Sequence, residues 1–383
     1  MVKSTTQPVP LVLEREALSS LLTELQRYGY TVVGPTVVDG SIVHGEVTTV
    51  EDLPAGWADE QSPARYRLQE RRDQAFFGYH CGPQSWKRFL HPPQTVLWEG
   101  VRSGLQPAGT AGKPPHYAFL GVRACELAAI LIQDRVMMQG PYADATYSEL
   151  RKNIFIIAVN CLDSAATCFC ASMGSGPRAA SHFDLCLTER IDEHGHRFVV
   201  EIGSLKGGEI LAAIPHKEAA ASDIKWVEQV TRAAASGQVR KLDTNGLRDI
   251  LYEAVEHPRW DDVAARCLSC TNCTMVCPTC FCATVEDRTD LGGTTAQRVR
   301  RWDSCFTLDY SYIHGGSVRS SVRARYRHWL THKLGTWVDQ FGTPGCVGCG
   351  RCITWCPAGI DLTEEATALK HRVTIKEVPD GND

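Results

Sequence analysis

The chain has 383 residues, a formal net charge of −4 and 17 cysteines. That length allows two or three domains with ample cores, and the acidic balance argues against nucleic acid as a general partner. No apolar stretch approaches a membrane span and Met1 to Pro8 lack an apolar signal core, so the expected compartment is the reducing cytoplasm, where dense cysteine reads as metal ligation rather than disulfides.

Between residues 14 and 28, Leu18, Leu21, Leu22 and Leu25 recur at helical spacing and predict an amphipathic helix. Short β-rich pieces follow at 30–33, 37–38 and 42–50, with Asp39-Gly40 as a hairpin turn. Residues 52–63 read as a loop, continued by a polar segment up to Phe77. The stretch 78–90 mixes turn residues with large aromatics. Trp86 and Phe89 are expected to pack there, and Lys87 and Arg88 either to meet a partner or to lay their stems along apolar surface.

Residues 117–122 read as a buried strand, 123–134 as a helix and 153–160 as the clearest strand, through Ile154, Phe155, Ile156, Ile157 and Val159. Strand-then-helix order implies an α/β core with a parallel component. Further strands are expected at 185–187 and 198–202, and helices at 219–235 and 244–257, the last stopped by Pro258. The boundary is therefore placed there. Residues 1–258 form an α/β (α+β) N-terminal domain, and 259–383 a mainly α-helical, ferredoxin-like domain with a basic helical segment inserted at 279–345.

Two stretches dominate the last third: Cys267-Leu-Ser-Cys270-Thr-Asn-Cys273-Thr-Met-Val-Cys277-Pro278 and Cys346-Val-Gly-Cys349-Gly-Arg-Cys352-Ile-Thr-Trp-Cys356-Pro357. Both read C-x2-C-x2-C-x3-C-P, the run by which bacterial-type ferredoxins hold [4Fe–4S] clusters, the fourth cysteine serving the other cluster. This assigns Cys267, Cys270, Cys273 and Cys356 to one cluster, and Cys346, Cys349, Cys352 and Cys277 to its neighbour. Zinc ribbons use paired C-x2-C motifs without the third cysteine or the C-P ending, so two complete copies weigh against zinc.

An insertion this long should have its own structure, with a helix or two over 317–341. Residues 298–333 carry eight Lys/Arg against Asp303 and Asp309. Either this is a solvated helix face, or Arg319, Arg323, Arg325 and Arg327 form a docking surface for an acidic partner. The tail is expected to fray after Ala368.

Cys125 follows one predicted strand and Cys161 ends the next, with Cys168 and Cys170 in the loop after it. If the strands are parallel, these four meet at the edge where α/β folds build sites, and a third [4Fe–4S] cluster is one reading. The other is a set of small buried apolar side chains. Cys280, Cys282 and Cys305 either contribute to that third site or shield a cluster, and shielding is preferred. Ser172-Met-Gly-Ser-Gly-Pro177 reads as a loop or an anion-binding nest. Arg351 either favours the reduced state of the second cluster or is a surface arginine. His44, His80, His91 and His328 are expected to be structural or exposed, and no catalytic residue is expected.

With these words in view, the chain resembles the iron–sulfur beta subunit of soluble sulfhydrogenase-type [NiFe] hydrogenases, a family related to the corresponding iron–sulfur subunit of anaerobic sulfite reductase. The matching words are 78–90, Gly121-Val-Arg-Ala-Cys-Glu126, Val159-Asn-Cys161, Cys168-Phe-Cys170, Cys277-Pro-Thr-Cys-Phe-Cys282, Trp302-Asp-Ser-Cys-Phe306 and the second run through Cys352. The resemblance implies electron transfer within a heteromer, linking a flavin- and NAD(P)H-binding subunit with the hydrogenase small and large subunits. The residues agree with such a division of labour: no G-x-G-x-x-G follows a strand and no P-loop is present. The alternatives are the iron–sulfur subunit of an anaerobic sulfite reductase and a non-catalytic iron–sulfur docking module.

Overall fold

The computed structural model describes residues 9–101, 104–107 and 115–370, so the expected fraying of the tail lies mostly outside the described residues. An eight-stranded sheet forms its centre, in the spatial order Lys217–Glu218, Leu11–Glu14, Gly195–Ile202, Leu185–Asp192, Phe155–Val159, Tyr117–Val122, Thr31–Val38 and Ser41–Glu46. The run from Leu185–Asp192 to Thr31–Val38 pairs in parallel, and the flanking strands pair antiparallel. The reading of an α/β core holds.

Both faces of this sheet are covered, which explains the unbroken apolar run of Phe155–Val159. Phe155, Ile157 and Val159 face a core shared with Leu18, Leu21 and Leu25 of the helix Ala17–Arg27. Ile156 and Ala158 face the opposite core, with Trp86, Leu127 and Ile130. Asp39 and Gly40 take left-handed φ of 49° and 69°, as a two-residue hairpin turn requires.

Two regions differ from their expected form. The expected loop 52–63 and the polar stretch after it form a hairpin, Trp57–Ser62 with Arg65–Glu70; the first strand lacks apolar alternation, and in the second only Tyr66 and Leu68 alternate, a short β signal among charged residues. In the insertion only the second half is helical, as Val322–Thr331 and Trp337–Phe341 joined by a π-turn over His332–Thr336. The first half is a hairpin, Ala283–Thr289 with Thr295–Trp302, paired to Gln94–Val101 in a four-stranded sheet. Its arginines Arg298, Arg300 and Arg301 flank one buried apolar side chain, Val299, a pattern that basic composition alone does not separate from a helix face. This ladder crosses residue 258, so strand pairing links the two halves of the chain.

A second core lies around the cysteine runs, built from Leu251, Trp260, Val263, Phe306, Tyr326, Trp329, Leu330 and Ile353. Among the described residues no helix is long and apolar enough to cross a membrane.

Candidate metal centres

The two cysteine runs fold alike. The third and fifth positions take left-handed φ in both: Ser269 at 50° and Thr271 at 67°, Gly348 at 64° and Gly350 at 77°. A single helical turn follows each, Asn272–Met275 and Arg351–Thr354. The loop turns three thiols inward, and the turn carries the chain away to the fourth. One cavity is lined by Cys267, Cys270, Cys273 and Cys356, with Cys352 also on its wall. A second is lined by Cys277, Cys346, Cys349 and Cys352. The fourth cysteine of each run therefore stands beside the first three of the other.

Backbone amides point at these sulfurs. Ser269 N–H donates to Cys267 Sγ, Gly348 N–H to Cys346 Sγ and Ile360 N–H to Cys356 Sγ, each at 3.4 Å. Phe306, Tyr326, Trp329 and Leu362 wall the first cavity with apolar surface. Burial pushes the Cys273 and Cys352 thiols well above the ordinary range and Cys349 up to about 12. Thiols so placed become thiolates only against a cation, so the donor set fits a bound metal group. Among the described residues no three His, Cys, Asp or Glu side chains converge as they would on one ion; each quartet surrounds a space instead.

Among the described residues two buried cations, Lys333 and Arg351, line the second cavity, and they differ. Lys333 Nζ donates to Cys277 Sγ at 3.2 Å, Thr279 Oγ1 at 3.2 Å and the Gly345 carbonyl at 3.1 Å, and lies 3.7 Å from Cys280 Sγ. Contact with the Cys280 thiol, and then the Lys333 charge, hold Cys277 well below the usual thiol range against its burial. Arg351 is not a surface arginine: its guanidinium is buried and ion-paired to Glu126, and donates to the carbonyls of Gly82 and Gln84 at 2.9 Å. Trp86 Nε1 donates to the same carboxylate at 3.1 Å.

A third group of thiols forms where sequence reading placed it. Cys125 starts the helix Ala124–Met138 after the strand Tyr117–Val122, and Cys161 follows Phe155–Val159, the adjacent parallel strand. Cys168 and Cys170 reach the same edge from their loop, close enough that Cys170 and Cys161 bear electrostatically on Cys168. Sequence reading missed a fifth member, Cys81, whose Sγ is 3.9 Å from Cys125 Sγ and which also faces Cys161, Cys168 and Cys170. Its only signal was its place in the word 78–90. Gln238 Nε2 donates to Cys170 Sγ at 3.0 Å. The buried Arg123 donates to the carbonyls of Phe77, Tyr79 and Asn160, tying the Cys81 segment to the strand ends.

This third group abuts the second cavity. Phe169 N–H donates to the Gly348 carbonyl at 2.8 Å, Ser175 Oγ to the Val347 carbonyl at 2.6 Å, and Cys349 faces Cys125, Cys81 and Cys168. The three groups thus stand in sequence, the middle one in contact with both others. The hydroxyls of Ser172 and Ser175 are used in these loop contacts, which favours the plain-loop reading of 172–177.

Cys280, Cys282 and Cys305 lie elsewhere, beside the two cysteine runs: Cys280 near Cys277, and Cys305 near Cys282 and Cys273. Lys87 is neither exposed nor free for a partner. It is buried, donates to the Cys280 carbonyl at 3.0 Å and stacks 3.9 Å from the centre of the Trp302 ring.

The four arginines proposed for docking do not form one open face. Arg325 is buried, its Nη2 3.4 Å from Ser269 Oγ. Arg323 pairs with Glu256 and Asp261, and Arg327 with Glu256, while Arg319 is half-buried. One helical turn cannot aim residues 323, 325 and 327 the same way. Of the histidines, His44, His91 and His328 are lowered to about 4, chiefly by burial. For His80 burial acts in the same sense, but Asp163 and Asp59 together lift it to about 10.

The family model of a 4Fe-4S dicluster domain matches residues 266–360. Sulfhydrogenase 2 subunit beta of Pyrococcus furiosus is 33% identical over 278 residues, covering 72% of this chain and 79% of that protein. No solved structure matches the chain.

Proposed function

We propose that this chain, which belongs to the sulfhydrogenase beta-subunit family, relays electrons inside a soluble [NiFe] hydrogenase complex. In that reading a flavin- and NAD(P)H-binding subunit stands at one end, and the hydrogenase small and large subunits receive or return the electrons. The observation that carries it is the contiguity of the three thiol groups, from Cys270, exposed on the first, to Cys161 and Cys168, mostly buried on the third.

The first group (Cys267, Cys270, Cys273, Cys356) and the second (Cys346, Cys349, Cys352, Cys277) would each hold one [4Fe–4S] cluster. A third cluster would use Cys125, Cys161, Cys168 and Cys170, with Cys81 as an alternative ligand. Bound clusters supply one-electron storage and transfer. The chain's own residues fix the thiols on short left-handed loops, donate amides to sulfur, and wall the first cavity with Phe306, Tyr326 and Trp329 against water. Cys280 and Cys282, beside Lys333 and Lys87, would line this path rather than join the third site.

The test is anaerobic co-purification of the tagged chain with its partners, followed by EPR during reduction with NADH, NADPH or hydrogen. Cluster signals that appear with a nicotinamide only in the presence of a flavoprotein partner, and with hydrogen only in the presence of the hydrogenase subunits, are expected. A complex whose clusters stay oxidised under every reductant would leave a docking module instead.

A further inference from the structure

Lys333 occupies the π-turn His332–Thr336, an interruption that often marks a functional position in a helix. The turn aims the side chain inward, and the residue is 5% exposed. Its ammonium bonds to sulfur, hydroxyl and carbonyl, and no carboxylate is among its hydrogen-bond partners. Among the described residues it is the one Lys or Arg that donates to a thiol of either cysteine run. Its own carbonyl accepts from Gly345 N–H at 2.7 Å, so the residue also ties together the two ends of the insertion.

A buried cation without a counter-ion is costly, and thiolates at the second site are the anions within its reach. Arg351, the cation inside the run itself, is neutralised by Glu126. At the first site the nearby guanidinium of Arg325 meets a serine hydroxyl and not a sulfur. We infer that Lys333 raises the reduction potential of the cluster held by Cys277, Cys346, Cys349 and Cys352, making this site easier to reduce than the one held by Cys267, Cys270, Cys273 and Cys356. Reduction adds one negative charge to the cluster, and a charge-assisted hydrogen bond to its ligand sulfur stabilises that state more than the oxidised one. An electron shared between these two sites then rests on the second. This rests on the two-cluster assignment proposed above.

The experiment is an EPR-monitored redox titration of the full-length protein in its complex, comparing wild type with Lys333→Met and Lys333→Arg. Signals are assigned to sites with Cys277→Ala, which removes a second-site thiol. In Lys333→Met the second site should become at least tenfold harder to reduce, about 59 mV for one electron. The first site should stay where it was, and Lys333→Arg should recover most of the shift. An iron-replete Lys333→Met with an unchanged midpoint, or with equal shifts at both sites, overturns the inference. Loss of second-site iron in both variants also overturns it, since Lys333 would then be a structural prop. Absence of iron from the wild type would instead refute the cluster assignment itself.

Discussion

The amide of Phe169 donates to the carbonyl of Gly348 at 2.8 Å, joining the loop that carries Cys168 and Cys170 to the loop that carries Cys346 and Cys349. The approach is close enough to dictate residue type. A Cβ on Gly348 would lie 2.6 Å from the Phe169 carbonyl carbon, and one on Gly350 would lie 2.5 Å from the Thr167 carbonyl oxygen. The first run has the same backbone twist at Ser269 and Thr271, where side chains are tolerated. The Gly-x-Gly of the second run therefore records the packing of the other loop as well as the turn.

Gly350→Ala should destabilise the protein by about 1–2 kcal/mol from the left-handed backbone alone, and further through displacement of Thr167. The equivalent change in the first run, Thr271→Gly, removes a side chain from a left-handed position and should be neutral or stabilising. Anaerobic thermal unfolding of both variants measures the contrast, and equal effects would separate the glycine from the packing between the two loops.

The parts of this architecture visible in the sequence are those governed by local spacing. The eight cysteines of the two runs follow a loop rule, and Phe155–Val159 announces itself because a strand covered on both faces is apolar throughout. Cys81 left no such trace: it reaches Cys125 across 44 residues of chain, through a carbonyl network on Arg123 that no periodicity encodes. The ribbon 283–302 was equally hidden, since Val299 is its one buried side chain and its partner strand Gln94–Val101 lies far back in the chain. Residues 319–327 look like a basic surface in composition, yet Arg325 and Arg323 meet Ser269 and Asp261 once the helix is packed.

Crossed ligation makes a sharp expectation for Cys277, which belongs to the first run but lines the second cavity. Cys277→Ala should damage the second cluster and spare the first. EPR of the reduced variant, set beside Cys267→Ala and Cys346→Ala, checks this. It should match Cys346→Ala; a match to Cys267→Ala would restore an uncrossed arrangement.

Acid should weaken the fold through His91. Burial, and then the charges of Arg300 and Lys87, hold this imidazole neutral down to about 4. The unfolded chain takes up a proton near the ordinary value of about 6.5 that the folded chain refuses. Stability is therefore complete above that range and falls as pH drops from about 6.5 to about 4, by on the order of 3 kcal/mol. Comparing denaturant unfolding of wild type and His91→Leu across this window isolates the contribution. The variant should show an acid limb shallower by one proton, and parallel limbs would count against it.

The third thiol group sets the iron content. Two clusters correspond to about eight irons per chain and three to about twelve. Strand pairing across residue 258 means a truncated N-terminal half would lose Thr295–Trp302, one of the two strands paired to Gln94–Val101, so the count belongs to the whole chain. Wild type reconstituted anaerobically should carry about twelve irons with matching sulfide, and Cys168→Ser/Cys170→Ser should fall to about eight while keeping the EPR signals of the two cysteine runs. Cys81→Ser distinguishes the fifth thiol's role: retention of about twelve irons leaves Cys125 as the ligand, and loss of about four makes Cys81 part of the site. A wild-type count of about eight would mean that this edge of the sheet holds thiols and no third cluster.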